Sequence, residues 1–574
     1  MNRVVSRGSL LIVAAVLAAC AAKRDEKEVD TRLIEEAVVG ATRADAANSA
    51  QPQRLPPPPV AAPAADQLGR ARAEMKMVSA PFAPPAQMAM PNPADTERYQ
   101  HQQDNGIQVA AEQPVSTFSI DVDTGAYANV RRFLNDGRLP PQDAVRVEEL
   151  INYFDYEYAP PNNRDTPFRV STELAAAPWN SQALLMRIGI KGFAIEAQQR
   201  PAANLVFLID VSGSMDSPDK LPLLKNAFRL LTDQLTGRDR VSMVVYAGSS
   251  GVVLESTPGN AKHQIQEALA RLSAGGSTNG ASGIQLAYKL AHDTFVKGGI
   301  NRVVLATDGD FNVGTVNFEA LVDIVERERA TGVELTTLGF GTGNYNEQLM
   351  ERLADAGNGN YAYIDTLSEA RKVLVSQLSS TLYTIAGDVK IQVEFNPSEV
   401  LEYRLIGYEN RMLAREDFNN DKVDAGEIGA GHRVTALYEV VPVGAKGRID
   451  SLRYGAKPPA AAGKGELANL RLRYKKPGSD SSQLLEYPIR KDAVVATDKV
   501  STDFRFAASV AAFGQLLRGG KYMGDFSYGD VTKLATGALG ADAEGYRKEF
   551  VSLVALAKSL TPSPEVGKVS RISE

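Results

Sequence analysis

The feature that most restricts this chain lies between residues 203 and 387, where short apolar runs alternate with segments of helical periodicity. Apolar runs at 205–209 and 302–306 and further strand-like stretches at 241–246, 252–254, 333–339 and 361–364 make up the strands. Strands buried on both faces read as unbroken apolar runs, whereas half-exposed strands alternate. The segments between them, 221–235, 264–272, 284–295, 318–329, 346–354 and 367–384, place apolar residues on one helical face, as Leu224, Phe228, Leu231 and Leu235 do in the first. The pattern predicts a doubly wound, mostly parallel α/β domain over 201–387, with right-handed crossovers and strand order 3-2-1-4-5-6.

A sheet of that kind binds ligands outside the carboxyl ends of its strands, where the order reverses between the first and the fourth. Two acidic turns fall there. Asp210-Val211-Ser212-Gly213-Ser214 follows the first strand, and Thr307-Asp308-Gly309-Asp310 follows the fourth. A glycine-rich turn at 275–280, carrying Thr278, opens a helix between them. Asp210, Ser212, Ser214, Thr278 and Asp308 offer hard oxygen donors, which suit Mg2+ or Mn2+ far better than zinc or copper. Two close carboxylates repel unless a cation lies between them. With so few anions on it, the metal keeps exchangeable water, and an Asp or Glu carboxylate from a protein partner can take that position.

Asp210-x-Ser212-x-Ser214, Thr278 and Thr307-Asp308-Gly309 together resemble the metal-ion-dependent adhesion site of von Willebrand factor type A (VWFA) domains. The resemblance implies that Asp210, Ser212 and Ser214 supply the first metal-binding loop, Thr278 the second and Asp308 the third, with Asn279 and Asp310 behind them. On the amino-terminal side, the stretches 119–124, 127–134 and 147–154 are similar to the N-terminal extension of YfbK-type bacterial proteins. That likeness implies an extension over 113–200, the VWFA domain over 201–387 and a further domain over 388–574.

The flanks carry their own pattern. Residues 168–176 and 183–192 read as strands, and 391–395, 434–441 and 468–474 alternate as half-exposed antiparallel strands do. Joining 168–192 with 388–490 predicts a β-sandwich beside the VWFA domain. Residues 503–517 and 546–560 read as C-terminal helices with one apolar face. The acidic run from Asp417 departs from a calcium loop at Lys422 and Ile428, where glycine and glutamate belong, and reads as a polar hairpin. Asp121 and Asp123 share a strand face without a further ligand nearby, which points to a structural role.

Residues 1–19 have the charge and apolar pattern of a secretory signal, and Leu17-Ala18-Ala19-Cys20 resembles a bacterial lipobox. That resemblance implies lipidation at Cys20, a membrane anchor and a place in the bacterial cell envelope; Ala21 after the cysteine favours the outer membrane. Residues 20–112, holding 11 of the 30 prolines between positions 51 and 100, read as a disordered tether. A single cysteine excludes a disulfide scaffold and a cysteine-based metal cluster within one chain. Net charge of −6 argues against a nucleic-acid partner. Of the four histidines, His101 lies in the tether and His263 and His292 fall on or beside predicted helices away from the crevice; no hydrolase or nucleotide-binding signature occurs, so no catalytic residue is assigned. The leading expectation is a non-enzymatic binding module. A scaffold with a fold-stabilising metal and a metal-dependent hydrolase are the alternatives.

Overall fold

Ala203–Asp210 is a strand buried along its whole length. It appears so in a computed structural model that describes residues 97–562, apart from 121–122, 197–198, 278–279, 310–317, 451, 454–464, 480 and 497–498. The signal segment, Cys20, the tether up to 96, Asp121, Thr278, Asn279 and Asp310 lie outside the described residues. Ala203–Asp210 pairs in parallel with Arg240–Tyr246 on one side and Ile300–Thr307 on the other. Glu334–Phe340 and Tyr361–Ile364 continue the sheet in parallel, and Ser250–Pro258 closes the opposite edge antiparallel. Counted along the domain, the spatial order is 3-2-1-4-5-6, with the reversal between the strands that end at Asp210 and Thr307.

Helices cover both faces of this sheet. Leu221–Gln234 and Lys262–Arg271 bury Leu224, Phe228, Ile265 and Leu269 on one side. Gly280–Asp293, Phe318–Ala330 and Glu347–Ala356 bury Ile284, Tyr288, Leu321, Val325 and Leu353 on the other. The continuous helix expected over 367–384 is broken. Leu367–Arg371 passes into a wide π turn, Lys372–Ser376, then into Leu378–Leu382, and a strand begins at Thr384. The wide turn aims Lys372 inward, where its ammonium donates to the Tyr153 carbonyl at 2.6 Å and lies against the face of the Tyr153 ring. Periodicity carries no mark of such a contact with a distant part of the chain.

Two antiparallel sheets form the sandwich. One has the order Gln108–Val109, Val400–Ile406, Arg433–Pro442, Asn180–Gly192, Phe168–Ala177. The other runs Ile428–Gly429, Thr384–Phe395, Glu466–Lys475, Ser482–Arg490, with Val115–Ser119 also paired to Thr384–Phe395. Met186, Ile188 and Ile190, which precede the α/β domain, share one core with Ile391, Val393, Leu470 and Leu472, which follow it. Chain from both flanks therefore builds a single sandwich. Thr502–Leu517, Tyr528–Thr536 and Tyr546–Leu560 pack with Gly125–Asn135 and Val147–Asn152 in a helical layer, where Phe506, Val510 and Phe550 meet Leu150, Leu185 and Leu437. Tyr528–Thr536 was not expected, although Ser527 and Asp530 form the capping box that starts it.

Residues 97–112, expected as the end of the tether, lie on the folded body instead. Arg98 N donates to the Tyr345 carbonyl at 2.9 Å, Glu97 Oε1 accepts from Gly343 N at 2.9 Å, and Ala110 N donates to the Leu401 carbonyl at 3.0 Å. Side chains with particular partners hold this stretch, which a compositional reading does not register. Asp123 has the expected structural role, accepting from Tyr361 N at 2.8 Å and pairing with Arg411 at 3.3 Å. Asp421, in the polar loop, is tied to Arg473 and Ser482.

Where the α/β domain meets the flanking helices, acids outnumber bases. Arg146 Nη2 lies 2.6 Å from Glu351 and 3.8 Å from Glu347, and its Nε lies 3.4 Å from Glu149. Glu347 is fully buried, and neither carboxylate oxygen has a hydrogen-bond partner. Burial pushes its carboxyl up to about 8, against the pull of Arg146 and with the push of Glu351. A carboxyl raised above its unfolded value contributes stability below the unfolded value and loses it as pH rises toward 8. Glu347→Gln is therefore expected to flatten the pH dependence between 5 and 8 and to stabilise the protein by about 2 kcal/mol at the alkaline end. Urea unfolding of both proteins at pH 5 and pH 8 checks this, and equal slopes would refute it.

Candidate metal centre

Asp210 ends its strand with its carboxylate turned under the loop that follows. Ser212 N donates to Oδ1 at 2.8 Å, while Thr307 Oγ1 and Tyr246 OH donate to Oδ2 at 2.9 and 3.1 Å. These bonds fix the loop and leave Ser212 Oγ and Ser214 Oγ 3.1 Å apart. Ser212 is buried and Ser214 exposed, so the crevice opens to solvent at Ser214. The glycine-rich turn closes on the same loop: Gly275 N donates to the Val211 carbonyl at 2.8 Å, and Gly213 N donates to the Gly276 carbonyl at 3.0 Å. Gly276, at φ +87°, supplies a backbone shape that other residues adopt only under strain.

Asp308 follows the neighbouring strand and is fully buried. Its Oδ2 accepts from Lys220 Nζ at 2.9 Å and from Asn344 Nδ2 at 3.1 Å, and Lys220 Nζ also donates to Asn344 Oδ1 at 3.0 Å. Gly309, at φ +83°, lets this turn pass beneath Tyr345 and Asn346; a Cβ there would lie 2.5 Å from Asn346 N. The two carboxyls are held differently. Burial raises that of Asp210 above the usual carboxylate range, bonds from Ser212 and Thr307 oppose this, and the charge of Asp308 adds to it. Burial also acts to raise Asp308, but the Lys220 charge and the Ser214 and Asn344 bonds bring it below that range.

Four of the five expected ligand positions, Asp210, Ser212, Ser214 and Asp308, thus meet at one crevice at the strand-order reversal. Thr278, the fifth, lies outside the described residues. Among the described residues no three His, Cys, Asp or Glu side chains converge as a metal cluster. Among the described residues the anionic part of this site is two carboxylates, with the Ser212 and Ser214 hydroxyls beside them. An ammonium already sits on Asp308. Two carboxylates and short hydroxyls are the donors a hard divalent cation takes, whereas the ammonium on Asp308 opposes a second cation there. Lys220, Tyr246 and Asn344 were not expected in the crevice. His263 is exposed, and His292 pairs with Glu328 on the helical surface, both away from it.

A search against family models matches residues 204–377 to the von Willebrand factor type A domain. Residues 93–187 match a von Willebrand factor model, and residues 380–560 match the model described as "Uncharacterized protein YfbK, C-terminal". The chain is 49% identical over 474 residues to "Uncharacterized protein YfbK" of Escherichia coli (strain K12), covering 81% of this chain and 82% of that one. This chain belongs to the YfbK family. Inter-alpha-trypsin inhibitor heavy chain H3 of Mesocricetus auratus is 25% identical over 261 residues, covering 41% of this chain and 28% of that protein. Among solved structures, a von Willebrand factor type A protein from Catenulispora acidiphila is 17% identical at TM-score 0.40, covering 70% of this chain and 91% of that one. By the family model over 204–377, the YfbK-like chain carries a von Willebrand factor type A domain, and such domains are typically non-enzymatic protein-interaction modules.

Proposed function

We propose that this YfbK-like protein is a non-enzymatic binding module of the cell envelope. Asp210, Ser212, Ser214, Thr278 and Asp308 hold Mg2+ or Mn2+, through which the protein captures a carboxylate of a protein partner. The observation that carries the reading is the meeting of the Asp210 and Asp308 loops at the reversal of strand order, with two serine hydroxyls between them and an opening to solvent at Ser214. The bound ion supplies an electrophilic point with exchangeable water, which a partner's Asp or Glu oxygen can replace. The chain itself orients the donors. Thr307 and Tyr246 hold the Asp210 carboxylate from behind, so its position does not depend on the ion.

Cys20 is the proposed lipid-anchor residue, and residues from Cys20 up to 96 the spacer that carries the folded body away from the membrane, in the outer membrane by the residue that follows the cysteine. Among the described residues His263 is exposed and His292 pairs with Glu328 on the helical surface, so neither stands at the crevice as a general base, which disfavours the hydrolase reading.

The test is capture from envelope extract on the immobilised protein in Mg2+, with EDTA and with Asp210→Asn as controls. The expected result is a protein retained in Mg2+ and lost in both controls. Retention unaffected by EDTA would favour the scaffold reading. Turnover of phosphoesters that disappears in Asp308→Asn would favour the hydrolase.

A further inference from the structure

We infer that Lys220 is a resident counter-ion of the metal crevice, competing with the divalent ion for Asp308 and thereby setting how tightly that ion is held. The inference rests on the metal reading above and concerns a residue outside the Asp-x-Ser-x-Ser pattern.

Lys220 immediately precedes the Leu221–Gln234 helix, and its side chain is 8% exposed. The stem runs against Gly341, which at φ +75° has no side chain to meet it; a Cβ there would overlap the lysine Cγ and Cε. The stem is therefore confined, and the ammonium is delivered to two acceptors, Asp308 Oδ2 and Asn344 Oδ1. Asn344 in turn donates to the same Asp308 oxygen, closing a three-membered ring of contacts. Both partners of this ion pair are buried, the lysine side chain at 8% exposure and the aspartate at 0%.

The balance of charge gives the arrangement its consequence. Among the described residues, with Asp210, Asp308 and Lys220 ionised, these three groups carry one unit of negative charge. A divalent ion turns this into one unit of positive charge, and a single carboxylate from outside restores neutrality. Without Lys220 the loaded crevice would be neutral before any partner arrived. In a buried setting, like charges a few ångströms apart repel strongly. The ammonium thus weakens the hold on the metal while leaving the loaded site short of one anion.

A purely structural lysine would act through its stem, so substitutions that separate stem from charge decide the matter. Lys220→Met keeps the stem, Lys220→Gln keeps a donor for Asp308, and Lys220→Arg keeps the charge. Calorimetric titration of the full chain with Mn2+ is expected to give affinities roughly tenfold or more above the unmodified protein for Met and Gln, and within about threefold for Arg. Melting curves establish that each variant is folded; if Lys220→Met is not, Lys220→Gln decides. Mn2+ binding in the unmodified protein with no gain in the uncharged variants would overturn this inference alone. No Mn2+ binding in any of the four would overturn the metal reading and this inference with it.

Discussion

Asp210→Asn is expected to lower the affinity for Mn2+ by about a hundredfold or more while leaving the fold intact, because a charged oxygen ligand of a hard ion is replaced by a neutral one. Asparagine is the informative substitution. The carboxylate accepts from Ser212 N, Thr307 Oγ1 and Tyr246 OH. Alanine would leave these donors buried and unsatisfied, at a cost of about 1–3 kcal/mol each where water cannot reach them. The amide keeps the shape and one acceptor oxygen. A calorimetric titration beside a melting curve separates the two effects: affinity collapses and the melting temperature moves little. An Asp210→Asn protein that binds Mn2+ as tightly as the unmodified chain would remove Asp210 from the metal site.

The second large effect lies away from the crevice. Arg131, on the helix Gly125–Asn135, is buried between three parts of the chain. Its Nε donates to Asp365 Oδ2 at 2.7 Å, Nη2 to Asp365 Oδ1 at 2.5 Å and to Glu369 Oε2 at 2.7 Å, and Nη1 to Glu549 Oε2 at 3.2 Å and Tyr153 OH at 3.0 Å. Asp365 and Glu369 belong to the type A domain, Glu549 to the last helix. Arg131→Met leaves the buried carboxylates of Asp365 and Glu369 without their main counter-charge, and the expected loss is about 3–5 kcal/mol. Arg131→Lys should recover only part of it, since one ammonium cannot reproduce the planar fork to Asp365. Equilibrium urea unfolding reads both variants. A loss below about 1 kcal/mol for Arg131→Met would show that the network contributes geometry and little energy.

The distinction between legible and illegible parts is physical. The parallel sheet was legible because strands covered on both faces carry continuous apolar runs, as 205–209 does within Ala203–Asp210 and 303–306 within Ile300–Thr307. Once the strand order is known, Asp210 and Asp308 must be neighbours, so their convergence follows from topology. The sandwich was legible as alternation, and its assembly from both flanks as an inference from their positions. What escaped were contacts with no local signature. Lys220 and Asp308 stand 88 positions apart, and nothing near Lys220 in the chain marks it as the group that reaches the carboxylate. Asn344 and Tyr246 belong to the same class. The wide turn at Lys372–Ser376 is visible only through Tyr153, a residue in another domain. Residues 97–112 failed for a related reason: composition describes an average, whereas Glu97 and Arg98 are held by particular partners.

The acid-rich junction around Glu347 and the crevice around Asp308 treat excess negative charge in opposite ways. At Glu347 burial raises the carboxyl toward neutrality, whereas at Asp308 a lysine keeps the carboxylate charged. A carboxylate kept charged inside a solvent-facing crevice is suited to bind a cation, and one driven toward protonation is not.

The most direct test is an anomalous-difference map from a crystal of this protein grown in millimolar Mn2+. The account predicts a single strong peak bounded by Asp210, Ser212, Ser214 and Asp308, within coordination distance of their oxygens, and with Lys220 moved off Asp308 or left beside a site short of one anion. A crevice with no peak, its Asp308 still held by Lys220, would contradict it.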